Sequence, residues 1–267
     1  MKIFMDINSM PILLLLLTTF LLVVGAIEAG YRVGLFIKKK REVETESTVS
    51  SISGYVLALL AFIIAFTFGI VTDRYQDRKD LVREEANLIR TAWMRADFLQ
   101  DSGQIVSKNL LKEYTSLRLT AVESHDINKV KEAMLACAKI REQLWEMAVK
   151  NAQMDMNSDV GALYIESLND VTNINASRIV VGLHTRIPEG IWEVLLLLTL
   201  FAMFSVGYQA AIVGSKRSWA TILMTLSFSL VIVMIEALDR SDTSLIPVSQ
   251  YPMDYLLENM EGEHKTN

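Results

Sequence analysis

The chain has 267 residues, enough for one large domain or two small ones, and 51% of them are hydrophobic. A mean hydropathy of +0.30 argues against a purely soluble protein, and a net charge of −5 with no basic stripe excludes a nucleic-acid binder. A single cysteine, Cys137, excludes an internal disulfide framework and a multi-cysteine metal site, and His125, His184 and His264 are too scattered to form a ligand set.

A helix crossing a bilayer needs about 20 mostly apolar residues, because the hydrocarbon core is about 30 Å thick and each residue rises 1.5 Å. Residues 11–37 form the first such segment, interrupted only by Glu28 and Arg32. It runs on past any plausible cleavage site to Lys38-Lys39-Lys40-Arg41, a stop-transfer flank, and Lys2 is offset by Asp6, so it reads as a retained helix. Glu28 precedes Arg32 by four residues, the favoured order for an ion pair on one helix face. Ionisable residues in a span are costly unless paired, so the two are either a mutually neutralised pair near the interface or a functional site. Ala26, Gly30 and Gly34 form a small-residue stripe on the same segment, suited to close packing within one subunit or between subunits.

Residues 51–72 make a second span with no ionisable residue. Tyr55, Leu59, Phe62, Phe66 and Gly69 share one face, which continues into Asp73, Asp77, Asp80 and Glu84. Facing a symmetry axis, that stripe would give an aromatic constriction followed by acidic rings that favour cations. Otherwise the phenylalanines pack against helices or lipid, and the acids pair with Arg and Lys one turn away.

Residues 73–187 are charged but balanced, with 16 Lys and Arg against 17 Asp and Glu. Apolar residues recur at helical spacing from Leu81 to Leu99 and from Val106 to Ala121, and two more helices fit 127–151 and 159–184. Breaks are expected at Asp101-Ser102-Gly103, Ser124-His125-Asp126 and Asp155-Met156-Asn157. Glu84-Glu85 is an adjacent carboxylate pair, read as a solvated or ion-paired helix face. Third and fourth spans follow at about 191–213 and 219–238, with Pro188 just before the third and Glu236 near the end of the fourth. Gly207/Ala211 and Ala210/Gly214 repeat the small-residue pattern on the third span.

The expected class is all-α: an integral membrane protein with four transmembrane helices and a helical extramembrane bundle inserted between the second and third. The segments are a first transmembrane hairpin at 11–72, the helical domain at 73–187, a second hairpin at 188–238 and a polar acidic tail at 239–267. Lys38, Lys39, Lys40, Arg41, Lys216 and Arg217 flank one side, while Arg74, Arg78, Lys79 and Arg83 flank the other, so the charge rule leaves orientation open. No nucleophile, zinc or phosphate-loop motif is present, so neither an enzyme, a metal nor a cofactor is expected.

The run from Leu60 to Phe68, then Arg74 to Arg78, Glu85-Ala86-Asn87, Arg95-Ala96-Asp97 and Tyr114 with Leu117-Arg118, resembles the bacterial bestrophin-like domain family of unknown function. Leu238-Asp239-Arg240, Pro247-Val248-Ser249-Gln250 and Pro252-Met253 extend the resemblance over roughly residues 50–257. It implies a remote likeness to bestrophins, pentameric ion channels with four membrane helices per subunit, and a place in the bacterial inner membrane. It also implies a hydrophobic neck on the helix after the first loop, which matches Phe62 and Phe66 by position. The sequence carries no acidic calcium clasp. The leading expectation is a homo-oligomer in membrane lipid that passes small ions along the second span; the rival is a non-conducting scaffold or sensor whose helical domain binds a partner.

Overall fold

The computed structural model describes residues 11–40, 45–123, 127–215, 219–240 and 245–263. Arg41, His125, Lys216, Arg217 and His264, and the expected break at Ser124-His125-Asp126, lie outside these residues. Among the described residues every regular element is helical. In chain order they are α1 (Ile12–Lys40), α2 (Glu46–Arg95), α3 (Asp101–Glu123), α4 (Ile127–Met154), α5 (Asp159–Ile179), α6 (Glu189–Val213), α7 (Trp219–Asp239) and α8 (Tyr251–Glu263).

Among the described residues, four helices are long and apolar enough to cross a membrane: α1, α2, α6 and α7. The protein is a multi-pass membrane protein. The chain divides into two compact units, one of residues 1–75 with 186–246 and the other of residues 76–185 with 247–267. The 50-residue α2 runs through the boundary without a break. No proline falls between residues 12 and 187, so nothing in that stretch removes a backbone donor or clashes with the preceding turn.

In the membrane unit, α1 packs on α6 and α7. The core holds Val23, Leu60, Val71, Leu195, Ala202, Met203 and Ile235. On α2 the buried positions Val49, Ser53, Leu60, Thr67 and Val71 recur at spacings of four and seven, so one stripe faces the other helices and the opposite stripe does not. Ser53 Oγ donates to the Ser205 carbonyl at 3.2 Å, and Gln209 Nε2 donates to Ser50 Oγ at 3.0 Å, fixing α2 against α6. Gly214, at φ 77°, closes α6 in the left-handed conformation that glycine adopts without strain. The Lys38 ammonium donates to the Ile212 carbonyl at 2.9 Å, giving a charged cap to a helix end that carries partial negative charge.

The second unit is built from the end of α2 with α3, α4, α5 and α8 around one core, which includes Ile89, Leu111, Tyr114, Leu144, Tyr164, Met253 and Met260. Cys137 is one of its buried residues. The break expected at Asp101 falls earlier: a 3₁₀ turn spans Ala96–Phe98, Leu99 is extended, and Asp101-Ser102-Gly103 opens α3. Turn-forming residues are tolerated in a first turn, where their N–H groups have no helical partner to lose. At the Asp155–Asn157 turn the expectation and the structure agree, and Ser158 caps α5 by accepting from Gly161 N at 3.1 Å. The segment 239–267, expected as a polar tail, instead carries α8, which packs on α3 through Met253, Leu256 and Met260. Its apolar residues are few and mixed with acids, so composition alone does not announce it.

Candidate functional site

The candidate pore face is the stripe of α2 opposite its buried one. Tyr55 is 75% exposed, Phe62 66% and Phe66 61%. A Cβ built at Gly69 meets no atom within 4 Å. Asp73 and Asp77 are exposed, one and two turns further on. Among the described residues, no other helix covers these side chains. Arg74 and Arg78, the neighbouring cations able to neutralise the acids, are turned away. Arg74 Nη1 lies 3.4 Å from Asp239 Oδ1, and Arg78 is buried. Asp80 does pair, with Arg83 at 3.0 Å, whereas neither Asp73 nor Asp77 takes part in an ion pair among the described residues.

The remaining sequence candidates fall elsewhere. Arg32 Nε donates to Glu28 Oε1 at 2.8 Å, with the arginine side chain 77% exposed, so this pair meets at the surface of α1. Gly30 lies against the Phe204 carbonyl, Gly34 against Ala211 and Tyr208, and Gly207 against the Ile27 carbonyl. Both glycine stripes therefore face each other across the α1–α6 contact within one subunit, and half-buried Ala26 flanks it. Glu236 is buried on α7 and accepts from Arg240 Nε at 2.7 Å, far in sequence from the Glu28–Arg32 pair. About one helical turn on from Glu236, Asp239 accepts the Ile187 N–H at 3.1 Å, satisfying a backbone donor where the chain enters α6.

Sequence reading did not single out a second buried ionic cluster. Glu84 stays exposed, but Glu85 is fully buried in the second unit. Arg118 Nε approaches Glu85 Oε1 at 3.1 Å, Arg178 Nη1 pairs with Oε2, and the Tyr114 hydroxyl donates to Oε1 at 3.3 Å. Arg178 also donates to Gln250 Oε1 at 3.3 Å, so one carboxylate joins α2, α3, α5 and the segment leading into α8. Burial opposes its charge, but Arg178 and Arg118 outweigh that and hold the Glu85 carboxyl below its ordinary range. Burial, then the nearby carboxylate, pushes the Tyr114 hydroxyl up. Tyr114, Arg118, Glu85 and Gln250 all belong to the motifs that carry the family resemblance. Those motifs converge as a tie between helices. No three His, Cys, Asp or Glu side chains converge as a metal site among the described residues.

A family model for the bestrophin-like domain matches residues 19–238. The chain belongs to the bestrophin-like family. Its fold is similar to the crystal structure of a bacterial bestrophin homolog from Klebsiella pneumoniae carrying a mutation, with a TM-score of 0.59 over 94% of this chain and 98% of that one, at 13% identity. A second crystal structure, of a membrane protein, is similar at a TM-score of 0.60 and 13% identity, over 94% of this chain and 96% of the other. No curated protein matches. At such identities the two structures establish the bestrophin fold and carry no residue roles with them.

Proposed function

We propose that this bestrophin-like protein is a homo-oligomeric ion channel of the bacterial inner membrane, with α2 of each subunit facing the axis. The observation that carries this reading is the uncovered aromatic stripe leading into Asp73 and Asp77, which have no ion-pair partner among the described residues. Phe62 and Phe66 form a hydrophobic constriction that opens and closes to ions by wetting. Repeated around an axis, Asp73 and Asp77 become rings of like charge that concentrate cations at its mouth.

The test is the purified protein in liposomes with a salt gradient. The expected reversal potential favours small monovalent cations over chloride. Phe66→Ala widens the constriction and raises leak several-fold, and Asp73→Asn shifts the reversal potential toward zero. A chloride-selective potential would overturn the assignment of charge. No current in wild type and Phe66→Ala alike, from a verified oligomer, would favour the non-conducting scaffold.

A further inference from the structure

We propose that the lipid-facing groove between α1 and α6 binds a phospholipid with an anionic headgroup. The groove encloses about 560 Å³ and is almost wholly apolar, with Leu21, Leu22, Gly25 and Ala29 on α1 and Phe201 and Phe204 on α6. Gly25 forms its floor on α1, where a Cβ would meet nothing within 4 Å. An acyl chain fits that surface, but the bilayer is as apolar as the groove, so burial alone selects no occupant. Selection has to come from whatever lies at the end of the groove.

Gly25, Ala29, Arg32, Phe36 and Lys39 follow one another at spacings of three and four, and so lie along one face of α1. The face that is apolar beside Phe204 thus becomes cationic within one turn and again two turns later. At 1.5 Å per residue, Arg32 to Lys39 spans about 10 Å, a distance that two long flexible side chains close from opposite ends of a headgroup. Arg32 is 77% exposed, and Glu28 occupies only its Nε, so the pair orients the guanidinium and leaves both terminal nitrogens for phosphate oxygens. Lys39 is exposed as well, whereas Lys38 is committed to the end of α6. Cations set at the mouth of an apolar groove complement an anionic lipid, with its tail along Gly25 and its phosphate at Arg32. The site stands on α1 and α6 alone and is independent of conduction through α2.

The probe is a mixture of phosphatidylglycerol and phosphatidylcholine with identical acyl chains, offered to delipidated oligomer and read by native mass spectrometry. Wild type should retain phosphatidylglycerol several-fold over phosphatidylcholine. Arg32→Gln with Lys39→Gln should bring that ratio to about one, Arg32→Lys with Lys39→Arg should preserve it, and Gly25→Leu should lower retention of both lipids. Helicity by circular dichroism checks that each variant is folded. An equal ratio in wild type and the double glutamine variant would overturn the headgroup assignment. Loss of the oligomer in Gly25→Leu would overturn the lipid itself, because a second copy of this chain would then occupy the groove.

Discussion

Glu85 shows how a single side chain can carry more than its neighbours reveal. It is fully buried, while the side chains of Arg118 and Arg178 are 14% and 12% exposed, so the carboxylate and the two guanidinium groups meet with little help from water. Glu85→Gln keeps the shape but leaves two guanidinium groups without their carboxylate. The expected cost is about 3–5 kcal/mol in the stability of this unit, the range for breaking one side of a buried ionic contact. Thermal unfolding of the detergent-solubilised protein should show it, and Glu84→Gln on the exposed neighbour should melt like wild type. The sign of the pH effect follows from the lowered pKa of Glu85. Stabilisation is complete above the ordinary carboxylate value of 4.5 and is lost as pH falls through the lower folded-state value. Wild type and Glu85→Gln should therefore converge in melting temperature below that pH. A gap that stays constant down to strongly acidic pH would show that the carboxylate charge is not what stabilises the cluster.

At the scale of elements, the α1–α6 contact rests on glycines that admit no side chain. A Cβ at Gly30 would fall on the Phe204 carbonyl, and one at Gly207 on the Ile27 carbonyl, so even Gly30→Ala forces two backbones apart. Gly30→Leu should abolish the folded species in size-exclusion chromatography, while Gly54→Ala, which meets open space, should elute and melt unchanged. Equal behaviour of the two would mean that α1 and α6 do not lie this close. The four spans and the helices between them are legible in the sequence because apolar length and 3.6-residue periodicity are local signals. The Gly30 and Gly34 stripe is legible as a packing surface, but its partner is not, since Phe204 and Ala211 lie more than 170 residues further along the chain. Glu85 fails for the same reason: Arg178 is 93 positions away, and nothing in the local pattern separates it from Glu84. The helix α8 is lost to composition, because its buried Met253, Leu256 and Met260 sit among acids and polar residues.

For the whole molecule, the proposed homo-oligomer requires one surface of the chain to meet other copies. An exposed apolar side chain on a spanning helix faces either lipid or another subunit, and exposure alone does not separate the two. Phe66 on α2 and Leu223 on α7 are exposed to nearly the same degree, 61% and 65%, yet only α2 carries the stripe that ends in Asp73 and Asp77. Around a symmetry axis, equivalent residues lining that axis approach one another, whereas equivalent residues on the outer surface are separated by the width of the ring. Because Cys137 is the chain's single cysteine and is buried, Cys137→Ala gives a cysteine-free background at the cost of one small core change. In that background, Phe66→Cys treated in membranes with a short bismaleimide should give covalently linked copies, and Leu223→Cys should remain monomeric on a denaturing gel. Asp73→Cys, two turns further along the same face, should link as well. If Leu223→Cys links and Phe66→Cys does not, α7 forms the contact between subunits, and the acids of α2 face the periphery with no ring of charge to concentrate cations.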